Sequence, residues 1–283
     1  MRNARPHALA DLLRSARYEV IPAGGIEESV LAAVPRTVTI TVTASPVKGL
    51  DTTLDLTERL IRHGYQVTPH LSARLVRDER HLKDIVDRLL AQGVADVFVP
   101  AGDADPAAGK YDGALGVLAE LTAMGRPFPH VGITGYPESH PAIDDDVTIQ
   151  AMWDKHVHAT YIVSNLCFDH RALGHWITRV RRRGVSLPIM VGIAGPVERT
   201  KLLKVAAKIG VGESAKFLSK RPSWLLRFAA PGGYNLDRLL DRCTPVLTDP
   251  WSRVAGLHVF TFNQVAETER WRQRAPHMNP APA

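Results

Sequence analysis

The stretch TVTITVTASPVKGLDTTLDLTERLIRHGYQVTPHL, residues 37–71, carries the pattern that decides the fold. It opens on a β-branched run, TVTITVT (37–43), whose stiff side chains suit a pleated sheet. The middle, DTTLDLTERLIRHG (51–64), sets Leu54, Leu56, Leu60 and Ile61 near one face of a helix, and Gly64 supplies a natural stop. A second run, QVTPHL (66–71), then reads as a strand. Strand, helix and strand follow one another with short joints.

Working outward, the same alternation fills the chain. Apolar runs predict strands at 18–22, 37–43, 66–71, 95–101, 130–136, 159–165, 188–193 and 256–262. Most are continuous rather than strictly alternating, as expected of strands covered on both faces. Helical patterns lie between them: DERHLKDIVDRLLAQG (78–93), with Leu82, Ile85, Val86, Leu89 and Leu90 at helical spacing, then DHRALGHWITRVRRRG (169–184) and PVERTKLLKVAAKIG (196–210). Eight such units predict a single-domain α/β protein, a (β/α)8 TIM barrel over residues 1–270. An open doubly wound sheet is the competing architecture, but it usually carries a Gly-rich fingerprint after its first strand, and AGGIEES does not match one. Residues 211–253 read as extra helices of the seventh segment, including one at YNLDRLLDRC, and the polar, Pro-rich residues 271–283 as a disordered tail.

Composition narrows the class. The chain has 283 residues, 45% of them hydrophobic, with no apolar run near the roughly 18 residues a bilayer span needs. The first residues lack the apolar core of a secretory signal. Two cysteines, Cys167 and Cys243, make no disulfide framework, so both are expected reduced and the location cytoplasmic. The net charge of +6 is spread along the chain, and its one dense run, RVRRRG (179–184), closes a helix where cations suit the dipole. That argues against nucleic acid and membrane partners and for attraction of small anions.

In a barrel, chemistry gathers at the C-terminal ends of the strands and in the loops that follow. The residues that fall there are Glu19; Thr43 and Ser45; His70; Asp103; Tyr136, Glu138 and His140; Ser164, Asn165 and Asp169; and Asn263 with Gln264. Each has a bland alternative. Glu19 can be a paired core carboxylate, His70 a loop cap, Asp103 a turn residue and Glu138 a solvated side chain. Asn263 is harder to dismiss, because an amide in an apolar strand needs partners. His140, His156, His158, His170 and His175 cluster in sequence, yet no set with a third ligand falls on one element, so no metal is expected.

Taken in order, YEVIP (18–22), VTAS (42–45), TPHLS (68–72), AGD (101–103), GYPESHP (135–141), NLCFD (165–169), GIAGPV (192–197) and HVFTFN (258–263) resemble the methylenetetrahydrofolate reductases in their short, catalytic-domain-only form. The resemblance covers most of residues 17–270. It implies a barrel that reduces 5,10-methylenetetrahydrofolate to 5-methyltetrahydrofolate with hydride from NADH or NADPH. It makes Glu19 the general acid that opens the imidazolidine ring and Asp103 the aspartate that steadies the resulting cation. It puts Asn165, Thr200, Asn263 and Gln264 at the substrate, and Thr43, His70, Tyr136 and His140 where the family contacts FAD. The chain departs from the family pattern in four places: Ala101 replaces an arginine, Asp144 to Asp146 replace polar and basic flavin contacts, Thr200 replaces a folate-stacking Phe, and Gln264 replaces an arginine. The first two changes remove phosphate support and add negative charge, so FAD is expected not to bind. An FAD-dependent reductase and a folate-binding protein without catalysis stay open as alternatives.

Overall fold

The computed structural model describes residues 4–138, 145–196 and 235–275. Its strands are β1 (Arg17–Val20), β2 (Ile40–Val42), β3 (Val67–Pro69), β4 (Asp96–Phe98), β5 (His130–Gly135), β6 (Tyr161–Ser164), β7 (Ile189–Ala194) and β8 (Val254–Phe260). They form one sheet in the order β3-β2-β1-β8-β7-β6-β5-β4, and each laddered pair is parallel. The two ends of that order also meet. His70, just past β3, bridges Phe98 of β4 in parallel, and the Leu71 N–H donates to the Phe98 carbonyl at 2.8 Å. With β8 paired to β1 and β3 bridged to β4, the strand order closes on itself, which an open doubly wound sheet does not do. The architecture is the expected (β/α)8 barrel.

The helices are α1 (Ala4–Arg14), α2 (Ile26–Ala33), α3 (Gly49–Arg62), α4 (Glu79–Ala91), α5 (Ala114–Ala123), α6 (Asp145–His156), α7 (His170–Arg182), α8 (Leu236–Leu247) and α9 (Val265–Arg274). None among the described residues is long and apolar enough to cross a membrane. α3 buries Leu54, Leu56 and Leu60 as their spacing predicts, and α4 buries Leu82, Ile85, Val86 and Leu89; Leu90 instead turns outward. Of the patterns expected at 196–210 and 211–253, residues 197–234 lie outside the described residues. α8 runs past the expected Cys243 to Leu247, its start capped by the Asn235 side chain accepting from the Arg238 N–H. Cys167 and Cys243 are both buried and unpaired, and burial pushes the Cys243 thiol up to about 12, which leaves it inert.

Strand alternation divides the apolar residues into two layers. Tyr18, Val20, Ile40, Val42, Ile133, Ile162, Leu257 and Val259 belong to the main core between sheet and helices. Phe98, Tyr161, Val163 and Met190 form a separate cluster on the opposite strand faces, inside the barrel. Arg17, Glu19 and His258 share that inward face. Near the strands' N-terminal ends, Arg17 bonds Asp96 at 2.8 Å, and the Tyr161 hydroxyl donates to the same carboxylate at 2.8 Å. On the outer face, the Tyr18 hydroxyl donates to Glu269 of α9 at 2.7 Å, and Arg272 pairs with Glu269 at 2.7 Å. α9 runs past the expected boundary at residue 270 to Arg274, with Arg272 buried against Glu269 and Trp271 donating to Asp237. Residues 276–283 of the expected tail lie outside the described residues.

Close packing between β6 and β7 yields a test. A Cβ built on Gly192 would stand 2.2 Å from the Ser164 carbonyl oxygen, which is backbone and cannot swing away. Gly192→Ala is expected to destabilise the fold by about 1–3 kcal/mol or more, read as a lower midpoint in chemical denaturation. An unchanged midpoint would refute the packing.

Candidate active site

Glu19 answers to the physics of a buried charge. Its neighbours Tyr18 and Val20 point into the outer core, so the carboxylate points into the barrel, where its side chain is 13% exposed. An ionised group there needs a partner. His258 of β8 supplies one: its Nε2 lies 2.9 Å from Glu19 Oε2, and the residue is 1% exposed. The pairing follows from barrel closure, because β1 and β8 run in register with Arg17 opposite His258 and Glu19 opposite Phe260. Thr261 adds a second tie, its hydroxyl donating to the Glu19 carbonyl.

His70 closes on the same carboxylate from β3's side. Its Nε2 lies 4.0 Å from Glu19 Oε2 and finds no hydrogen-bond partner among the described residues. The ring stands edge-on to Phe98 at 4.7 Å and is 5% exposed. Burial, with the His258 ring adding to it, holds the imidazole well below its usual pKa, so His70 is neutral. The donor atoms of Glu19, His70 and His258 all lie within 4.8 Å of one another, a set of ligand types that can hold a metal ion. No sequence motif signalled it, because the three residues come from three strands. Thr43, after β2, is half-buried; its backbone N–H donates to Val20 and its carbonyl accepts from Thr53.

The loops after β4 and β5 form a rim. Asp103 is exposed there. Gly102, just before it, holds a positive φ of 84°, and a Cβ at that position would strike the Ser72 hydroxyl at 1.7 Å; glycine is what lets the loop carry Asp103 outward. Tyr136 is half-buried and close enough to Asp103 for the carboxylate to reinforce burial in raising the phenol's pKa. Glu138 is not merely solvated. Its Oε1 accepts from the N–H groups of Phe168 and Asp169, fixing the turn into α7, while Asp169 caps that helix by accepting from the Arg171 N–H. Asn165 accepts from the Leu166 N–H with its own side chain, and Ser164 accepts from the Gly192 N–H at 2.8 Å.

Asn263 has the partners its setting demands. Its Oδ1 accepts from the Ile21 N–H at 2.8 Å and its Nδ2 donates to the Ile21 carbonyl at 2.9 Å, so the amide clamps the loop that leaves β1. Gln264 stands at the start of α9. His140 and Thr200 lie outside the described residues, as does Asp144. A separate cleft of about 420 Å³ is lined by Arg17, Gln66, Thr68, Gln92, Asp96 and His130. Arg17, Asp96 and His130 are the first residues of their strands, so this cleft faces away from the rim loops. The residue of this cluster that sequence reading missed is His258. It sits inside GLHVFTF, where a lone histidine in an apolar strand gave no sign of a partner.

A protein-family model described as methylenetetrahydrofolate reductase matches residues 27–270. Glu19 stands ahead of the matched residues, so its place in the site rests on the geometry above. Among solved structures, a Burkholderia cenocepacia protein assigned as a lyase or mutase is 14% identical, with 99% of this chain and 94% of that one covered at a TM-score of 0.51. An oxaloacetate acetylhydrolase is 11% identical, with 84% and 92% covered at 0.49. The former shows a shared fold and no more.

The neutral, buried His70 makes stability depend on pH. The folded protein refuses a proton that the unfolded chain accepts below about pH 6.5. The unfolded state therefore gains protons as pH falls, and stability is lost below that point at up to about 1.4 kcal/mol per pH unit for this group. Denaturation midpoints compared at pH 7.5 and 5.5 are expected to fall less in His70→Gln than in the wild type, with a residual slope from His81 and His158, whose burial shifts them the same way. Parallel losses in both proteins would refute the assignment.

Proposed function

The chain belongs to the methylenetetrahydrofolate reductase family, and from that premise we propose that it reduces 5,10-methylenetetrahydrofolate to 5-methyltetrahydrofolate with hydride taken directly from NADH or NADPH. The family makes it an oxidoreductase of folate metabolism. The donor, the acid and the absence of flavin are our reading. One observation carries it: a carboxylate, Glu19, is kept inside the barrel with Oε2 bonded to His258 and Oε1 without a hydrogen bond among the described residues. A fold keeps a costly buried carboxylate most readily where it has work to do.

In this reading Glu19 gives its proton to the leaving nitrogen of the imidazolidine ring. The carbon–nitrogen bond breaks and a 5-iminium cation forms. Hydride from the nicotinamide adds to the iminium carbon, which becomes the 5-methyl group, and NAD(P)⁺ leaves. Asp103 on the rim offsets the cation's charge. Asn165 and Gln264 stand at loop ends where folate would lie, and Asn263 shapes that surface by holding Ile21. Direct transfer requires the reacting carbons to approach to about 3–3.5 Å.

The residues fit FAD poorly. His70, a flavin-contacting position by resemblance, is sealed between Phe98 and the Glu19–His258 pair. Ala101 supplies no cation, and the guanidinium of Arg74 is already committed to the Ala104 carbonyl at 2.6 Å and the Asp112 carbonyl at 3.1 Å.

Protein purified without added cofactor is expected to be colourless and to oxidise NADH or NADPH only when methylenetetrahydrofolate is supplied. A flavin spectrum with near-stoichiometric FAD would refute direct transfer. Glu19→Gln is expected to lower kcat by about 10²–10⁴-fold with folate binding retained. Unchanged turnover would remove Glu19 from the reaction.

A further inference from the structure

We propose that His258 is the positioning residue of this site: its Nε2–H holds Oε2 of Glu19 and thereby reserves Oε1 for the proton that passes to substrate. This rests on Glu19 being the general acid. Three features of the barrel interior support it. His258 is 1% exposed, and its Nε2 sits at hydrogen-bond distance, 2.9 Å, from the carboxylate. Its other nitrogen, Nδ1, is buried with no hydrogen-bond partner among the described residues. The ring is fixed edge-on to Phe260, with centroids 4.9 Å apart.

The orphaned Nδ1 assigns the tautomer. A neutral imidazole carries its proton on one nitrogen and a lone pair on the other. A proton on Nδ1 would be a buried donor with nothing to receive it, whereas a proton on Nε2 meets a carboxylate oxygen. The geometry therefore favours Nε2–H donating to Oε2 of Glu19. With Oε2 occupied, a proton arriving from the cleft goes to Oε1. In the reaction the Oε1–H bond breaks, the ring carbon–nitrogen bond breaks and a nitrogen–hydrogen bond forms. The carboxylate left behind stays in its hydrogen bond to His258, and solvent reloads Oε1.

The surroundings are consistent with this role. His70 comes from β3's side, but its Nε2 at 4.0 Å is too far to compete for Oε2. From β1, Arg17 lies opposite His258 in the ladder, and it is tied to Asp96 of β4 and Tyr161 of β6. From β7, the residue opposite is Gly192, which does not titrate. The same donors suit a metal ion, but a metal-bound imidazole normally donates its second N–H to an acceptor. Nδ1 of His258 has none, and the 2.9 Å contact joins two of the would-be ligands directly.

The test has two arms. Nitrogen NMR of the whole protein labelled with ¹⁵N-histidine, free of substrate, is expected to show His258 protonated at Nε2 and bare at Nδ1, with the Nε2 signal moving in Glu19→Gln. A proton on Nδ1, or a metal bound at Nε2, would overturn the proposal. In the second arm, His258→Leu is expected to lower kcat by about 10²-fold and to shift the pH profile of kcat, while His258→Gln, which keeps a donor, recovers at least about tenfold of that loss. A folded His258→Leu protein with wild-type kcat and pH profile would also overturn it; if that variant does not fold, the His258→Gln profile and the NMR decide. Absence of turnover in the wild type would instead refute the proposed reaction, and the NMR would still judge the pairing.

Discussion

A carboxylate cannot be kept inside a protein barrel by itself, and the pairing of Glu19 with His258 is the contact that permits it here. That contact exists only because β8 closes against β1. Parallel pairing sets Arg17 opposite His258 and Glu19 opposite Phe260, so alternation turns Glu19 and His258 toward the same interior space. The barrel is thus more than a frame for loops. Its last hydrogen-bonded seam brings the Glu19 carboxylate and His258 together from opposite ends of the chain.

The interior is graded along its axis. At the N-terminal ends of the strands, Arg17, Asp96 and Tyr161 satisfy one another, and Gly132 leaves the space that the Tyr161 ring fills. Apolar Phe98, Val163 and Met190 share the inward face with that network. Glu19, His258 and His70 add a polar group in which two nitrogens lack partners among the described residues. Buried polar groups are ordinarily satisfied, and these two nitrogens are exceptions, as are the Thr41, Thr57 and Thr68 hydroxyls. Outside the sheet, the Tyr18–Glu269–Arg272 network pins α9 across β1, which steadies the strand that carries the acid.

The rim loops are held by bonds that leave their polar residues limited freedom. Glu138 fixes the entry to α7, Asn263 clamps Ile21, and Arg74 ties the segments that hold Ala104 and Asp112. Asp103 remains exposed on a loop whose glycine lets the backbone pass Ser72 closely. The exposed Asp103 and Asp105 make this part of the rim acidic.

The architecture was legible in the sequence because its causes are local. β-Branched runs, helical spacing of leucines and glycine stops each act within a few residues, and all eight strands fall within or beside the runs that predict them. Glu19 was also legible, since a charge in YEVIP is conspicuous beside apolar neighbours. The partners were not. His258 stands 239 positions from Glu19, and Asn263 stands 242 from Ile21, so no window of sequence contains either pair. Asn263 announced only that it needed partners, and Arg272 lay in what read as a tail. The sequence by itself determined which residues become strands and which strand holds a carboxylate. Only closure of the barrel decided what that carboxylate touches, because a parallel seam between first and last strands joins residues that chain order keeps apart.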